Sequence, residues 1–294
     1  MKLSILTATF NRGDLLQRLY ESIIKNLKTN IDVEWLIMDD GSNDDTEKII
    51  SNMRDENKIY IRYLKQVNQG KMAAINHLMD YVRGDLIIEC DSDDYFTENA
   101  FLYLKDAYEE SKYEKDLYGL CFLKYDQNGN NIGSLLPQQK SIAYNDFYEY
   151  GGRGDKKVIY RTDIITKYPP YPEYEGEKFV GLCYKYLLAD QEYPLLILNE
   201  PICVVEYLED GSTRNIFKQF KQNPRGYIFL RKERMKYCKT FKWKFKSCIH
   251  YVCESIDIRN IRFLSESPRK FMTMASIPFG ILLYFYINYK TKDI

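Results

Sequence analysis

The sequence predicts an α/β fold: a mostly parallel sheet with helices on both faces, followed by a helical C-terminal region. Three observations lead there. Over the first hundred residues, short apolar runs alternate with segments of helical period, the pattern of a parallel sheet covered on both sides. Acidic residues stand where the apolar runs end. Charge is divided along the chain. Residues 214–294 hold 18 Lys+Arg and 5 Asp+Glu against 24 and 37 in residues 1–213, so a net charge of +0 conceals −13 followed by +13.

Each element follows from its own pattern. Leu3 to Ala8 reads as a buried strand, and Leu15, Leu16, Leu19, Ile23 and Leu27 form an apolar stripe on the helix after it. The start of the chain resembles the opening of a signal peptide, but Asn11, Arg12 and Asp14 end its apolar run too early. Val33 to Met38 is the second strand and Thr46 to Met53 the next helix. Ile59 to Leu64, Met72 to Val82 and Leu86 to Cys90 continue the alternation as strand, helix and strand. From 100 to 150 the pattern weakens into polar and aromatic segments with a turn at Asn128–Asn131. Lys157 to Tyr160 returns to strand character. Tyr168-Pro169-Pro170-Tyr171-Pro172 is a stiff loop, because proline fixes its own φ and biases its predecessor. A helix is expected from Phe179 to Leu188, then strands at Ile197–Leu198 and Ile202–Val205.

Composition excludes several classes. With 294 residues, 45% of them hydrophobic, the chain is neither a disordered tail nor a collagen-like fibre. Seven cysteines, an odd number with no Cys-x-x-Cys pair, read as reduced and mostly buried thiols of a cytosolic protein. His77 and His250 lack metal-ligand company.

The chemistry concentrates at two strand ends, Asp39-Asp40 and Asp91-Ser92-Asp93-Asp94. In an open α/β sheet the carboxyl ends of the strands border the ligand crevice. Two carboxylates one residue apart on such a loop suit a hard divalent cation and leave coordination positions for phosphate oxygens. Mg2+ or Mn2+ is the expected metal.

Four landmarks, Leu6–Arg12, Asp39-Asp40-Gly41-Ser42, Asn68–Asn76 and Gly84-Asp85 through Asp94, resemble in order and spacing the family-2 glycosyltransferases, inverting enzymes of the Rossmann-like GT-A fold. The resemblance covers roughly the first 100 residues. It implies that Thr7, Thr9 and Asn11 line the nucleotide pocket and that Asp39 accepts a hydrogen bond from the uracil ring. It places Asp91 near the ribose and makes Asp93, with Asp91, the metal site. Lys71, at a helix start, is set to neutralise diphosphate charge. Inverting transfer also needs a carboxylate that takes the proton from the acceptor hydroxyl. The acidic motif after the stiff loop supplies Glu177 as first choice, and Glu175 as the alternative. Tyr207–Ser212 resembles the family's loop near the donor phosphates, and Arg161 and Arg214 are further candidates for phosphate or acceptor contact.

On this reading, residues 1–100 are the nucleotide-sugar-binding half, 101–213 the acceptor and catalytic-base half, and 214–294 a basic aromatic helical region. The expected function is transfer of a single sugar from a nucleotide-diphosphate sugar, a UDP-sugar first of all, to a glycan or lipid-linked acceptor in surface polysaccharide biosynthesis. Two rivals stand beside it: a non-catalytic nucleotide-sugar-binding membrane scaffold and a sugar nucleotidyltransferase. Lys232, Lys236, Lys239, Lys242, Lys244 and Lys246, interleaved with Tyr237, Phe241, Trp243 and Phe245, match an anionic membrane surface, so a cytoplasmic protein peripheral to the inner face of the membrane is expected. Met272 to Ile287, which contains Pro278, Gly280 and several tyrosines, reads as too short to span a bilayer comfortably. No nucleic-acid partner is expected.

Overall fold

A computed structural model describes residues 1–206 and 216–292. The chain forms two compact units, Met1–Pro170 with Glu192–Glu206, and Tyr171–Gln191 with Tyr207–Ile294.

The first unit is built on one sheet of nine strands: β1 (Lys2–Thr9), β2 (Asp32–Asp39), β3 (Tyr60–Lys65), β4 (Leu86–Glu89), β5 (Tyr95–Phe96), β6 (Gly119–Tyr125), β7 (Ser141–Ile142), β8 (Lys156–Arg161) and β9 (Leu195–Val204). Its order is β3-β2-β1-β4-β8-β6-β9-β5, with β7 on β9. The first four strands are mutually parallel where they pair. β8 enters antiparallel between β4 and β6, so the sheet is mixed rather than uniformly parallel. Helices α1 (Gly13–Asn26), α2 (Thr46–Asp55), α3 (Lys71–Met79), α4 (Ala100–Ser111), α5 (Tyr144–Glu149) and α6 (Thr162–Ile165) complete it. Leu16, Leu19 and Ile23 of α1 join Ile5, Trp35 and Ile88 of the sheet in the core, as the apolar stripe predicts.

Several elements were hidden from sequence reasoning. α4, β6, β7 and α5 occupy the weakly patterned stretch after residue 100, and β6 is buried along six of its seven residues. The two short strands expected near 197 and 202 are one ten-residue strand, β9, which passes Pro201 with register irregularities against β6.

The second unit is helical: α7 (Cys183–Ala189), α8 (Ile216–Gln222), α9 (Pro224–Tyr237), α10 (Phe241–Asp257), α11 (Phe263–Glu266) and α12 (Lys270–Lys290). α9 packs on α10, and α10 on α12. One expectation is corrected here. Pro278 and Gly280 do not interrupt α12, which runs for 21 residues and is, among the described residues, long and apolar enough to cross a membrane by length and composition. Gly280 lies against α10, where an added Cβ would meet Val252 Cβ at 2.5 Å, so its small size permits a close helix contact.

Candidate active site

The carboxyl ends of β1, β2 and β4 lie at one end of the sheet and carry the candidate donor residues. Thr9 pairs in register with Asp39, and the Cys90 N–H donates to the Leu6 carbonyl at 2.9 Å. The loop after β1 is tied to the loop after β2. Asn11 adopts a positive φ of 51°, donates its N–H to Ser42 Oγ at 2.8 Å, and accepts from the Asn43 N–H through Oδ1 at 2.8 Å.

Asp39 is fully buried. Its carboxylate accepts from the Ser42 N–H and from the Tyr63 hydroxyl, both at 2.7 Å. Burial, with the charge of Asp39, raises the Tyr63 hydroxyl above its ordinary range. Asp40 next to it accepts from Gln66 Nε2, the Gln69 N–H and the Gly70 N–H, each at 2.8 Å. These bonds settle the turn through Gly70, φ 93°, from which α3 starts. Lys71 is therefore delivered at a helix N-terminus, and its ammonium pairs with Asp91 Oδ1.

The acidic loop after β4 is held by cations on several sides. Arg12 Nη1 meets Asp93 Oδ2 at 2.6 Å, and Arg18 Nη2 donates to the Asp93 carbonyl at 2.7 Å. Beneath the loop, buried Lys124 of β6 and Lys157 of β8 stand 3.8 and 3.7 Å from Asp94, and Lys124 also meets Asp155 at 2.5 Å. Burial alone would raise the Asp91 carboxyl, but the charges of Lys71, Lys157 and Lys124 outweigh it and hold Asp91 well below the usual range. Burial likewise opposes a charged Lys71, and the carboxylates of Asp91 and Glu89 overcome it, so its pKa rises. Asp93 goes the other way: burial and the neighbouring Asp91 charge raise it against the pull of Arg12.

That last imbalance bears on the metal. Asp91 and Asp93 offer only hard oxygen donors, and the repulsion felt at Asp93 is what a divalent cation would relieve. No group of three or more His, Cys, Asp or Glu suited to a metal occurs among the described residues. Two carboxylates fit a Mg2+ or Mn2+ ion that takes its other ligands from phosphate and water. When bound there, such an ion would supply charge stabilisation for a departing diphosphate.

Not every expected residue reaches this site. Thr7 is fully buried and accepts from Trp35 Nε1 at 3.0 Å, which marks it as part of the core. Thr9 Oγ1, two residues on, is buried and has no hydrogen-bond partner among the described residues. Arg161 is corrected: it faces Leu86 at the opposite end of β4, pairs with Asp163 at 3.0 Å and donates to the Glu114 carbonyl at 2.9 Å. Arg214 and Tyr207–Ser212 lie outside the described residues.

Glu175 and Glu177 belong to the second unit. The Glu177 carboxylate accepts from the Arg225 N–H at 3.0 Å, Arg225 Nε at 2.8 Å and the Gly226 N–H at 2.9 Å. It thereby caps α9 from a distant point in sequence, satisfying N–H groups that helix geometry leaves unbonded. Glu175 is exposed, and its carbonyl accepts from Arg225 Nη2.

Sequence reasoning overlooked Arg12, Asp40, Lys124 and Lys157. Arg12 and Asp40 stand inside two of the recognised landmarks, so a signal existed. The lysines gave none, because a lysine in a strand-like run reads as an exposed position.

Paired aspartates, a helix-start lysine and the Thr9 hydroxyl lie at the carboxyl ends of parallel strands, the edge that borders the ligand crevice in an open α/β sheet. The chain belongs to glycosyl transferase family 2, whose model matches residues 4–168, and its fold is GT-A. It is 25% identical over 180 residues to the GalNAc(5)-diNAcBac-PP-undecaprenol beta-1,3-glucosyltransferase of Campylobacter jejuni, a match covering 60% of this chain and 57% of that one. Matched stretches cover 44%, 57% and 39% of the first three curated relatives, so the chain spans about half of their length or less. In fold it is similar to S. aureus TarS 1-349 in complex with UDP-GlcNAc, with a TM-score of 0.65 and 17% identity over 98% of this chain and 83% of that one. It also resembles the mannosyltransferase PcManGT of Pyrobaculum calidifontis in complex with GDP-Man and Mn2+, with a TM-score of 0.56 and 10% identity over 99% and 76%.

Proposed function

We propose that this protein transfers a single sugar, with inversion, from a UDP-sugar to a hydroxyl of a glycan or lipid-linked acceptor in surface polysaccharide biosynthesis. The observation that carries the proposal is the convergence of Lys71, Asp91, Asp93 and Arg12 at the strand ends, cation beside carboxylate, on a first unit that belongs to the family. Asp39, Asn11 and Thr9 form the nucleoside side of the pocket, with Thr7 supporting it from the core. Asp91 and Asp93 hold Mg2+ or Mn2+, and Lys71 receives diphosphate charge. Arg214 is retained as a donor-side residue on its place in the sequence alone.

The base comes from the Glu175–Glu177 motif. The Glu177 carboxylate is committed to three N–H donors at the start of α9, and turning it toward an acceptor hydroxyl would break the cap it makes. The base role therefore moves to Glu175, and Glu177 becomes the residue that holds the motif on α9. The lipid-linked acceptor is supported by the undecaprenol diphosphate in the name of the Campylobacter relative, and a peripheral position on an anionic membrane surface by the basic C-terminal region.

Calorimetric titration with UDP, with and without MnCl2, tests the donor site. Asp93→Ala is expected to abolish the gain in UDP affinity produced by the metal and to retain the folded thermal transition. Unaltered metal-linked affinity in that variant would remove the site as proposed. Release of UDP from a panel of nucleotide sugars then identifies the donor.

A further inference from the structure

We infer that α12 is a monotopic membrane element whose apolar face enters the acyl boundary of an anionic bilayer. The inference deepens the membrane association proposed above, replacing a contact made by surface lysines with insertion of a specific helix face.

The burial pattern of α12 is inverted relative to a helix of a water-soluble bundle. Its buried positions are Thr273, Ser276, Gly280 and Ile287, three of the four small, whereas Phe271 is 85% exposed, Leu282 68%, Phe285 64% and Tyr289 72%. A helix stabilised against water turns its large apolar side chains inward. Turning small residues inward, so that backbones approach closely, and large apolar ones outward is the arrangement of helices packed within lipid. Gly280 at the α10 surface is an example of that close approach. Such a continuous exposed apolar face is uncommon on a protein that meets only water.

Charge selects the occupant. Residues 271–289 contain no Asp, Glu, Lys or Arg, and the run is bracketed by Arg269 and Lys270 before it and Lys290 and Lys292 after it. Cations at both ends of an apolar stretch suit anionic headgroups around an acyl layer. A peptide groove or a second copy of the chain would have no use for this bracketing, and the exposed aromatics fit the headgroup boundary.

The helix lies in the surface and does not cross it. Thr273 Oγ1 reaches Cys248 Sγ of α10 at 3.6 Å, the Phe279 ring meets Phe245 of α10 at 5.9 Å, and the Tyr286 ring meets Phe217 of α8 at 5.8 Å. Lys221 of α8 also donates to Asn288. One side of α12 is thus fastened along its length to helices carrying Lys221, Lys242, Lys244, His250 and Glu254, and drawing these through hydrocarbon is prohibitive.

Flotation of the full chain with vesicles of equal parts phosphatidylglycerol and phosphatidylethanolamine, at about 0.1 M and about 1 M NaCl, tests the inference. Insertion predicts that the protein floats at both salt concentrations. It also predicts that the double variant Leu282→Asp, Phe285→Asp, altered only at exposed positions, loses high-salt flotation by roughly tenfold or more with an unchanged thermal transition. Flotation of the wild type only at low salt would overturn insertion while leaving the membrane association intact. No flotation at either salt would overturn both. Light scattering without lipid covers the other occupant: a wild-type dimer that the double variant dissociates, with no flotation, would also overturn the inference.

Discussion

Asp40 holds Gly70 by a 2.8 Å hydrogen bond from the Gly70 N–H, and through that bond the end of β2 decides where α3, and hence Lys71, begins. Asp40→Ala leaves the Gln69 and Gly70 N–H groups and Gln66 Nε2 without their acceptor. A loss of roughly 2–3 kcal/mol of stability is expected, together with weaker UDP binding because Lys71 is no longer delivered to the site. Chemical denaturation and UDP titration of the same variant check both effects. An Asp40→Ala protein that binds UDP as the wild type does would sever the link.

The two glutamates of the second unit should separate by phenotype. Glu177→Ala removes the distant cap of α9 and should cost about 1–2 kcal/mol, read as a lower unfolding midpoint. Glu175→Gln, at an exposed position, should leave the midpoint unchanged and suppress sugar transfer while UDP binding persists. The opposite outcome, full transfer by Glu175→Gln and none by a folded Glu177→Gln, would return the base role to Glu177.

Between α9 and α10 a buried trio exchanges protons with the unfolded state. Arg231 Nη2 pairs with Glu254 Oε1 at 3.1 Å, and His250 Nδ1 stands 4.0 Å from the same oxygen. Burial raises Glu254 to about 7 despite Arg231 and Arg234, with Asp257 adding to the rise. Burial, with Arg231, Lys246 and Arg234, pushes His250 far below its ordinary 6.5. Glu254 therefore contributes stability that is full below 4.5 and is lost as pH rises toward 7. His250 contributes stability that is full above 6.5 and is lost as pH falls below it. Between 4.5 and 6.5 the folded chain holds the proton on Glu254 and the unfolded chain holds it on His250, so these two groups leave stability flat. His250→Asn should expose the Glu254 contribution as stability falling with pH across that window, by up to about 1.4 kcal/mol per pH unit. Urea unfolding at several pH values decides, and identical pH slopes for variant and wild type would contradict the assignment.

Thiol reactivity offers a simpler check on the fold. None of the seven cysteines is in a disulfide, and six are buried. Only Cys183, partly exposed and 3.2 Å from Arg234 Nη2, should react with an aromatic disulfide reagent in the native protein. The other six should follow on unfolding. More than one fast thiol per chain would show that the described packing is wrong.

Gly280→Val tests the contact that turns α12 outward. An added Cβ would stand 2.5 Å from Val252 Cβ and 3.0 Å from the Ile249 carbonyl oxygen, so a loss of about 1–3 kcal/mol is expected. UDP binding should be unaffected, because the donor residues belong to the first unit. An unchanged unfolding midpoint would count against close packing of α12 on α10.

The sequence by itself determined the first unit as far as β4 and the acidic positions at its strand ends. Buried parallel strands such as Leu3–Ala8 and Leu86–Cys90 read as continuous apolar runs, and an aspartate directly after such a run has little choice but to stand at the sheet's edge. Long-range pairing was decided only by the tertiary structure. Nothing local marks Lys124 and Lys157 as buried cations, since their burial depends on Asp94 and Asp155 reaching them from other parts of the chain. The function of Glu177 as a cap for Arg225 and Gly226 needed the same knowledge, 48 and 49 residues away in sequence. For α12, composition announced an apolar stretch, but which face it hides is a property of its contact with α10. That contact admits Thr273, Ser276 and Gly280 because they are small and leaves Leu282 and Phe285 outside.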